Sequence, residues 1–338
     1  MRRGRRGAGL WAAVLLLALT VSIVVAVALG PADITPWDAW RGILAKLGVG
    51  DSPLTTLRDG IVWELRMPRV LTAAAVGAGL ALCGGIMQAV LRNPLADPYL
   101  LGLSSGASLG AVSVIVLGMA IVLPLAAFGG ALLALVATLL LAGAVGRMTA
   151  SRTILAGIAV SAVLGALTSL VIFWSATGDS YREILGWLLG SLAGATWLTA
   201  SIALLAVLIV GGPLLLSGGV LDAFAFGDRA ANALGVSVGR TRWMLLGGTA
   251  LLTGCLVAVS GSIGFVGLVV PHAVRLLVGA RHRMLLPLSA LTGAVFLIWA
   301  DTLARTLFDP KELPVGVVTA LIGAPLFALL LLRARKIS

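Results

Sequence analysis

Few side chains in this sequence could take part in acid–base, nucleophilic or metal chemistry. The 338 residues include only two histidines, His272 and His282, and two cysteines, Cys83 and Cys255. Each cysteine lies singly in an apolar stretch, without a second Cys or His at the spacing of a metal site. The sequence has no serine elbow with its triad, and no pair of carboxylates within an apolar run. We therefore expect no catalytic residue, metal or cofactor on this chain.

A nucleotide-binding motif is also missing from the sequence. A Walker-type phosphate loop ends in Gly-Lys-Ser or Gly-Lys-Thr, whereas lysine occurs only at positions 46, 311 and 336. An intramembrane proton relay would need more ionisable groups inside the apolar runs than the sequence offers. We predict that the chain is not an enzyme and does not itself hydrolyse nucleotide.

The first polar segment with informative spacing runs from Leu65 to Val70 and contains Arg66 and Arg69. By composition alone these arginines are either anchors at the membrane interface or groups that bind a partner. A second polar stretch runs from Gln88 to Ala107, and its two prolines, at positions 94 and 98, forbid a continuous helix there.

A third polar segment, residues 217–242, contains a short helical pattern. The run from Asp228 to Gly235 has an acidic start and a glycine stop, which predicts a two-turn helix. Such a helix either lies on the bilayer or docks into another protein. A fourth segment, Ser260 to Arg275, carries several glycines and Pro271, so we expect a bent or broken helix packed among neighbouring protein.

The elements that position these segments are membrane spans. The chain is 60% hydrophobic and only 11% charged, with a mean hydropathy of +1.11, which excludes an ordinary soluble domain. The net charge of +11 could suggest a nucleic-acid partner, but no soluble basic surface is available to bind one. The charge instead fits arginines collected in cytoplasmic loops.

About ten apolar runs are long enough to cross a membrane. They are approximately Ala8–Gly30, Val70–Leu91, Leu100–Gly118, Ile121–Val145, Thr153–Trp174, Trp197–Leu216, Trp243–Val259, Phe265–Val278, Leu285–Ala304 and Pro314–Leu332. Threading them alternately places both termini and sixteen of the 24 Lys and Arg residues inside. This distribution obeys the positive-inside rule. The polar residues 31–69 then form an outer loop, in which Thr35 and Pro36 predict the start of a short surface helix.

Several motifs, in a fixed order, resemble the permease family of bacterial ABC importers for ferric siderophores, haem and cobalamin. The similarity covers the chain from about Trp63 to Arg335. The motifs are Met67-Pro-Arg69, Gln88-x-x-x-Arg-Asn-Pro-Leu-Ala-Asp-Pro-x-x-Leu-Gly102, Trp187-Leu-Leu-Gly-Ser-Leu-x-Gly194, Gly264-Phe-Val-Gly-Leu-x-x-Pro-His-x-x-Arg275, Asp301-x-x-x-Arg305, Glu312-Leu-Pro-Val-Gly316 and Gly323-Ala-Pro325.

The resemblance implies one all-helical permease domain over residues 1–338, of the type II ABC-importer architecture, in the bacterial inner membrane. It implies a second copy of the chain, two cytoplasmic ATPase subunits that hold ATP and Mg²⁺, and a periplasmic or lipid-anchored solute-binding protein. Arg66, Arg69 and Arg305 match the family's docking residues for that protein, and Asp301 is placed to orient Arg305. Arg182 resembles a residue on the substrate path. The coupling helix, which contacts the ATPase, corresponds to Asp228, Arg229, Asn232, Leu234 and Gly235.

Two other functions are compatible with the hydropathy. A secondary transporter driven by an ion gradient would place ionisable or cation-coordinating residues at mid-membrane and would show inverted repeats. A membrane-embedded enzyme would need convergent His, Asp or Glu residues within its spans. The sequence shows none of these features clearly, and it does not separate a siderophore from haem or cobalamin as cargo.

Overall fold

The computed structural model describes residues 2–144, 149–175, 177–308 and 310–334, and this part of the chain is helical without a strand. The predicted end of the fourth span, at Val145, and the end of the family resemblance, at Arg335, lie outside the described residues. The helices are α1 Arg2–Ala28, α2 Pro36–Lys46, α3 Thr56–Val90, α4 Leu103–Val116, α5 Leu123–Ala144, α6 Ala150–Ser175, α7 Gly178–Leu188, α8 Trp197–Leu215, α9 Gly218–Phe224, α10 Asp228–Ala233, α11 Val238–Ser260, α12 Val266–Val278, α13 His282–Thr306 and α14 Val315–Ala334.

Seven of these helices are long and apolar enough to cross a membrane: α1, α3, α5, α6, α8, α11 and α13. The shorter apolar helices α4, α12 and α14 bring the number within the described residues to ten. The predicted all-helical membrane fold with about ten spans is therefore confirmed. Helix α4 ends at Val116, and Gly118, with a φ of +69°, lies in the turn that separates α4 from α5.

The second span begins earlier than its hydropathy suggests. We predict a loop up to Arg69, but α3 starts at Thr56 and continues through both arginines, with a π-helical segment from Ile61 to Arg66. Thr55 caps this start, since its hydroxyl accepts a hydrogen bond from the Arg58 amide at 3.4 Å. Hydropathy reports where a helix leaves the membrane rather than where it ends, so it does not detect the polar first turns of α3.

Helix α3 forms the centre of the bundle and packs against α8, α11, α12 and α13. Glycines allow these close approaches. A Cβ atom at Gly77 would overlap the carbonyl of Gly293 on α13, and one at Gly84 would overlap the carbonyl of Gly267 on α12. Gly106 and Gly110 of α4 lie in the same way against α5. Their four-residue spacing is therefore used for helix packing.

Two connections fold inward between the helices. The segment between α3 and α4 brings Asp97 and Pro98 against Gly267, at the start of α12. Ahead of α12, Gly261 and Phe265 both adopt a positive φ, of +66° and +68°. The predicted break before Pro271 is therefore present, and α12 continues through that proline.

On the other side of the bundle, the predicted surface helix is present as α2. Thr35 precedes it, and its hydroxyl accepts a hydrogen bond from the Asp38 amide at 3.1 Å.

Candidate functional sites

The predicted coupling segment forms an exposed helix with apolar flanks. Helix α10 begins after Gly227, with a φ of +98°, and is followed by Leu234 and by Gly235, with a φ of +84°. The short helix and its glycine stop agree with the sequence pattern. Phe226 is 77% exposed and Leu234 is 68% exposed. Two large apolar side chains in such positions offer contact area to another protein or to lipid.

Asp228, the first residue of α10, joins this helix to two spans. Its carboxylate forms ion pairs with Arg92, just beyond α3, and with Arg242 of α11. The Arg242 Nη2 atom lies 3.1 and 3.2 Å from the two carboxylate oxygens, and its guanidinium stacks over Phe224 at 5.9 Å from the ring centroid. These contacts connect α10 directly to the end of α3 and to the start of α11.

The other predicted coupling residues lie on the same segment. Arg229 is exposed, and no ion pair is found for it within the described residues. The Asn232 side-chain oxygen accepts the Val238 amide at 3.5 Å, so it links the end of α10 to the start of α11.

A further link connects the segment that contains α9 and α10 to α13. Asp222 of α9 accepts hydrogen bonds from the His282 backbone amide at 2.8 Å, and its carboxylate lies 2.9 Å from the His282 Nδ1 atom. Gly218 and Gly219 pack closely on His282 and Arg283. Helices α9 and α10 are therefore connected to α3, α11 and α13 at once.

At the opposite end of the bundle, Arg66 and Arg305 bind the carboxyl end of α1. Arg66 donates to the Val27 carbonyl at 3.0 Å and to the Ala28 carbonyl at 2.8 Å. Arg305 donates to the Leu29 carbonyl at 3.0 Å and also to the carbonyl of Ala26. The last carbonyls of a helix have no partner within the helix, and cations are favoured there by the helix dipole. Both arginines thus complete α1.

Arg69 has different partners. It forms a bidentate contact with Asp301, in which Nε donates to Oδ2 at 2.9 Å and Nη2 donates to Oδ1 at 2.9 Å, and its Nη1 atom lies 2.8 Å from Glu312. Asp301 is buried, whereas the side chain of Glu312 is 45% exposed. Asp301 is expected to orient Arg305, but the contact between them is long, with 4.0 Å between the Arg305 Nε atom and the Asp301 Oδ2 atom. Asp301 pairs with Arg69 because the guanidinium of Arg69 presents two N–H donors at the spacing of the two carboxylate oxygens.

The motifs around Gln88 and Arg275 meet in the middle of the fold. Gln88 donates to the Leu268 carbonyl at 3.1 Å and accepts from Arg275 at 3.1 Å. Tyr99 donates to the Ile263 carbonyl at 3.0 Å, and the hydroxyls of Ser104 and Ser262 are 2.7 Å apart. The bond from Tyr99 satisfies a backbone carbonyl at the break before α12, as the interior of a membrane protein requires.

Arg182 stands apart from the other predicted residues. It is exposed on α7, whose Ile184 packs into a small cluster with Val112 and Ile115 of α4. The end of α7 leads to Gly190, which lies against Ser262 and bonds to the Gly316 amide at 3.2 Å. The helix is therefore placed beside the breaks before α12 and α14.

Some partners could not be found by reading the sequence locally. Arg92 and Asp228 are 136 positions apart, and Arg69 and Asp301 are 232 positions apart. The sequence signal for these residues is that Arg92, Asp301 and Glu312 lie inside the motifs. It indicates that these residues matter but does not pair them.

Known proteins share this arrangement over nearly the whole chain. The sequence profile of the FecCD transport family matches residues 16–333. The chain belongs to the FecCD transport family. The predicted resemblance to permeases of importers for iron chelates, haem and cobalamin is thereby confirmed, and the chain is a multi-pass membrane protein of the transport-permease class.

Relatives in the FecCD family carry several cargo names. The chain is 43% identical to YvrB of Bacillus subtilis, an uncharacterized ABC transporter permease, over 94% of this chain and 92% of the relative. It is 41% identical to the vitamin B12 import permease BtuC of Vibrio cholerae, over 94% and 93% of the two chains. It is 44% identical to the hemin transport permease HmuU of Yersinia pestis, over 81% and 84%.

A solved structure has the same fold. It is an inward-facing conformation of an ABC transporter assigned to the metal-chelate type, and it superposes with a TM-score of 0.82 at 33% identity. The match covers 95% of this chain and 98% of that chain.

Proposed function

We propose that this FecCD-family chain is the membrane subunit of an ATP-driven importer for a metal chelate, either a ferric siderophore, haem or cobalamin. The names of BtuC and HmuU support that cargo class. The sequence has no phosphate loop of its own, so we place ATP and Mg²⁺ on two copies of a separate cytoplasmic ATPase. No cofactor is proposed on this chain.

The observation that carries the proposal is the connection of α10 to two spans directly, and to a third through α9. Its exposed flanks, Phe226 and Leu234, are suited to an apolar contact with the ATPase. Asp228 and the α9 residue Asp222 pass its position to α3, α11 and α13. We propose that closure of the ATPase pair shifts α10, and that the linked spans then switch the path between outward and inward access.

The outer arginines are proposed to receive the solute-binding protein. Arg66 and Arg305 already bind the carbonyls of α1, so pairing them with a partner would leave that helix end unsatisfied. Arg69 can exchange its half-exposed partner Glu312 for a carboxylate of the binding protein without such a loss. We therefore propose Arg69 as the main docking residue, with Arg66 and Arg305 supporting the same surface.

The remaining features of the assembly rest on the family. We propose a second copy of the chain, with the path along the dimer axis and Arg182 of α7 facing it. Both termini are proposed to lie inside, in agreement with the distribution of arginines.

Uptake into vesicles tests the proposed function. The chain is reconstituted with its ATPase inside and its binding protein outside, and entry of a labelled chelate is followed. We expect uptake with ATP and Mg²⁺ and none with a non-hydrolysable analogue. Uptake by the chain alone, driven by an imposed ion gradient and abolished by an ionophore, would contradict the proposal and support a secondary transporter.

The same vesicles test the docking residue. Arg69→Gln is expected to raise the concentration of binding protein needed for half-maximal uptake, because the charge that fixes the encounter is removed. Arg41→Gln, at an exposed position of α2, controls for the loss of a surface charge, and the melting temperature of each variant separates weaker docking from loss of the buried Arg69–Asp301 pair. Equal requirements for the two variants would remove Arg69 from the docking surface.

A further inference from the structure

We infer that a cavity beside α10 is a socket for an acidic side chain carried by a surface loop of the ATPase. The inference rests on the proposed function and deepens it, since it adds a second contact to the one made by the exposed flanks of α10. The partner group is a carboxylate, and Arg229 receives it.

The cavity has a volume of about 660 Å³ and lies between four elements. Its walls are the end of α3, the start of α6, the helix α10 and the start of α11. Lining residues include Arg92, Thr149, Asp228, Arg229, Asn232 and Arg242. This volume exceeds that of a single side chain, so the cavity can admit the tip of a loop.

The charge of the lining is strongly positive. Three arginines, at positions 92, 229 and 242, face one carboxylate, that of Asp228, among the described lining residues. Thr149 and Ala150 place the amino-terminal end of α6 at the same cavity, and this end of a helix carries a partial positive charge. A carboxylate is the group that this surface stabilises.

Asp228 shows how a carboxylate is held here. It bridges Arg92 and Arg242, and Arg242 is fixed further by stacking over Phe224. The Nε atom of Arg242 is buried and makes no hydrogen bond within the described part of the chain. Arg229 is exposed and forms no ion pair there. One arginine is thus free to pair with an incoming acid, while the other two are already held in place.

The position of the cavity selects the ATPase as the source of the acid. Helix α10 is one of its walls, and the exposed Leu234 follows that helix directly. A protein that contacts Leu234 therefore also reaches the mouth of the cavity. An acidic pairing here fixes the register of the apolar contact.

The experiment compares two charge reversals on the same segment. Arg229→Glu alters the socket, and Arg240→Glu alters an exposed arginine that does not line it. Affinity for the purified ATPase is measured with the full chain in nanodiscs of zwitterionic lipid. We expect Arg229→Glu to weaken binding about tenfold, Arg229→Lys to retain most of it, and Arg240→Glu to change it less than about twofold.

A rescue identifies the partner group. Acidic surface residues of the ATPase are replaced one at a time by Arg, and one replacement should restore binding to the Arg229→Glu chain. Equal losses for Arg229→Glu and Arg240→Glu, or the absence of any rescuing replacement, would overturn the socket. A loss that occurs only when anionic lipid is added would assign the cavity to a lipid headgroup instead. If the unaltered chain does not bind the ATPase, the proposed function itself fails.

Discussion

Asp301 is the residue that holds together the end of the bundle where Arg69 and Arg305 lie. Its side chain is 2% exposed and lies between Arg69, at 2.9 Å, and Arg305, at 4.0 Å. Removing one partner of a buried ion pair is costly, because the remaining charge keeps its desolvation penalty without compensation. Glu312 binds the same Arg69 from a half-exposed position, where an ion pair contributes little.

These two carboxylates therefore predict unequal losses of stability. Asp301→Asn should lower the free energy of unfolding by about 3 kcal/mol, and Glu312→Gln by less than about 1 kcal/mol. Thermal unfolding in detergent can be followed with a thiol-reactive dye, since Cys83 is fully buried in the folded chain. Equal shifts of the two melting curves would show that Asp301 does not hold this end together.

At the residue scale, the sequence marked candidate positions but not what they contact. Arg69 and Arg305 lie in the motifs and Arg66 directly precedes one of them, but their type and spacing could not distinguish a cap on α1 from a docking surface. That distinction depends on where α1 ends in space, and nothing in the local sequence of α3 or α13 specifies it. The pairing of Asp228 with Arg92 and Arg242 could not be predicted either, because it also depends on how distant parts of the chain meet in space.

At the scale of elements, glycine placement decides how closely the helices approach. Gly77 on α3 and Gly293 on α13 meet backbone to backbone, whereas Gly129 on α5 has no atom within 4 Å of a would-be Cβ. In the sequence, all three are simply glycines in apolar runs. Only the packing separates a glycine that is required from one that is tolerated.

This contrast makes a matched prediction. Gly77→Ala should destabilise the chain by about 1–3 kcal/mol, because the added methyl group forces α3 and α13 apart. Gly129→Ala should be neutral or slightly stabilising, since alanine is the better helix former by about 1 kcal/mol. The same dye-based melting measurement applies. A Gly77→Ala chain that melts with the unaltered protein would show that the two helices can separate without cost.

The number and order of the spans followed from hydropathy, because about twenty apolar residues are needed to cross the bilayer. The start of α3 did not, since helix formation continues beyond the membrane through Glu64 and Arg66. In the sequence, the inward-folded connections before α4 and α12 could be recognised only from their helix-breaking residues. Their mutual contact, through Tyr99 and Ile263, is a tertiary property.

At the scale of the whole molecule, the chain combines a membrane path with an exposed inner helix and has no nucleotide motif in its sequence. The ties from α9 and α10 reach α3, α11 and α13, and two of these helices, α3 and α13, also carry the outer arginine cluster. Helices α3 and α13 therefore join the end of the bundle that holds α9 and α10 to the end that holds Arg66, Arg69 and Arg305. We propose that the work of transport enters through α10.

The most direct test of that claim measures the amount of chelate imported for each ATP hydrolysed, in vesicles containing the complete assembly. One variant replaces residues 228–233 with a Gly-Ser linker of the same length, and a second carries only Leu234→Asp, which leaves the ion pairs of Asp228 in place. We predict that both assemblies still hydrolyse ATP while import per ATP falls to a small fraction of the unaltered value. Undiminished import per ATP in both variants would contradict the account.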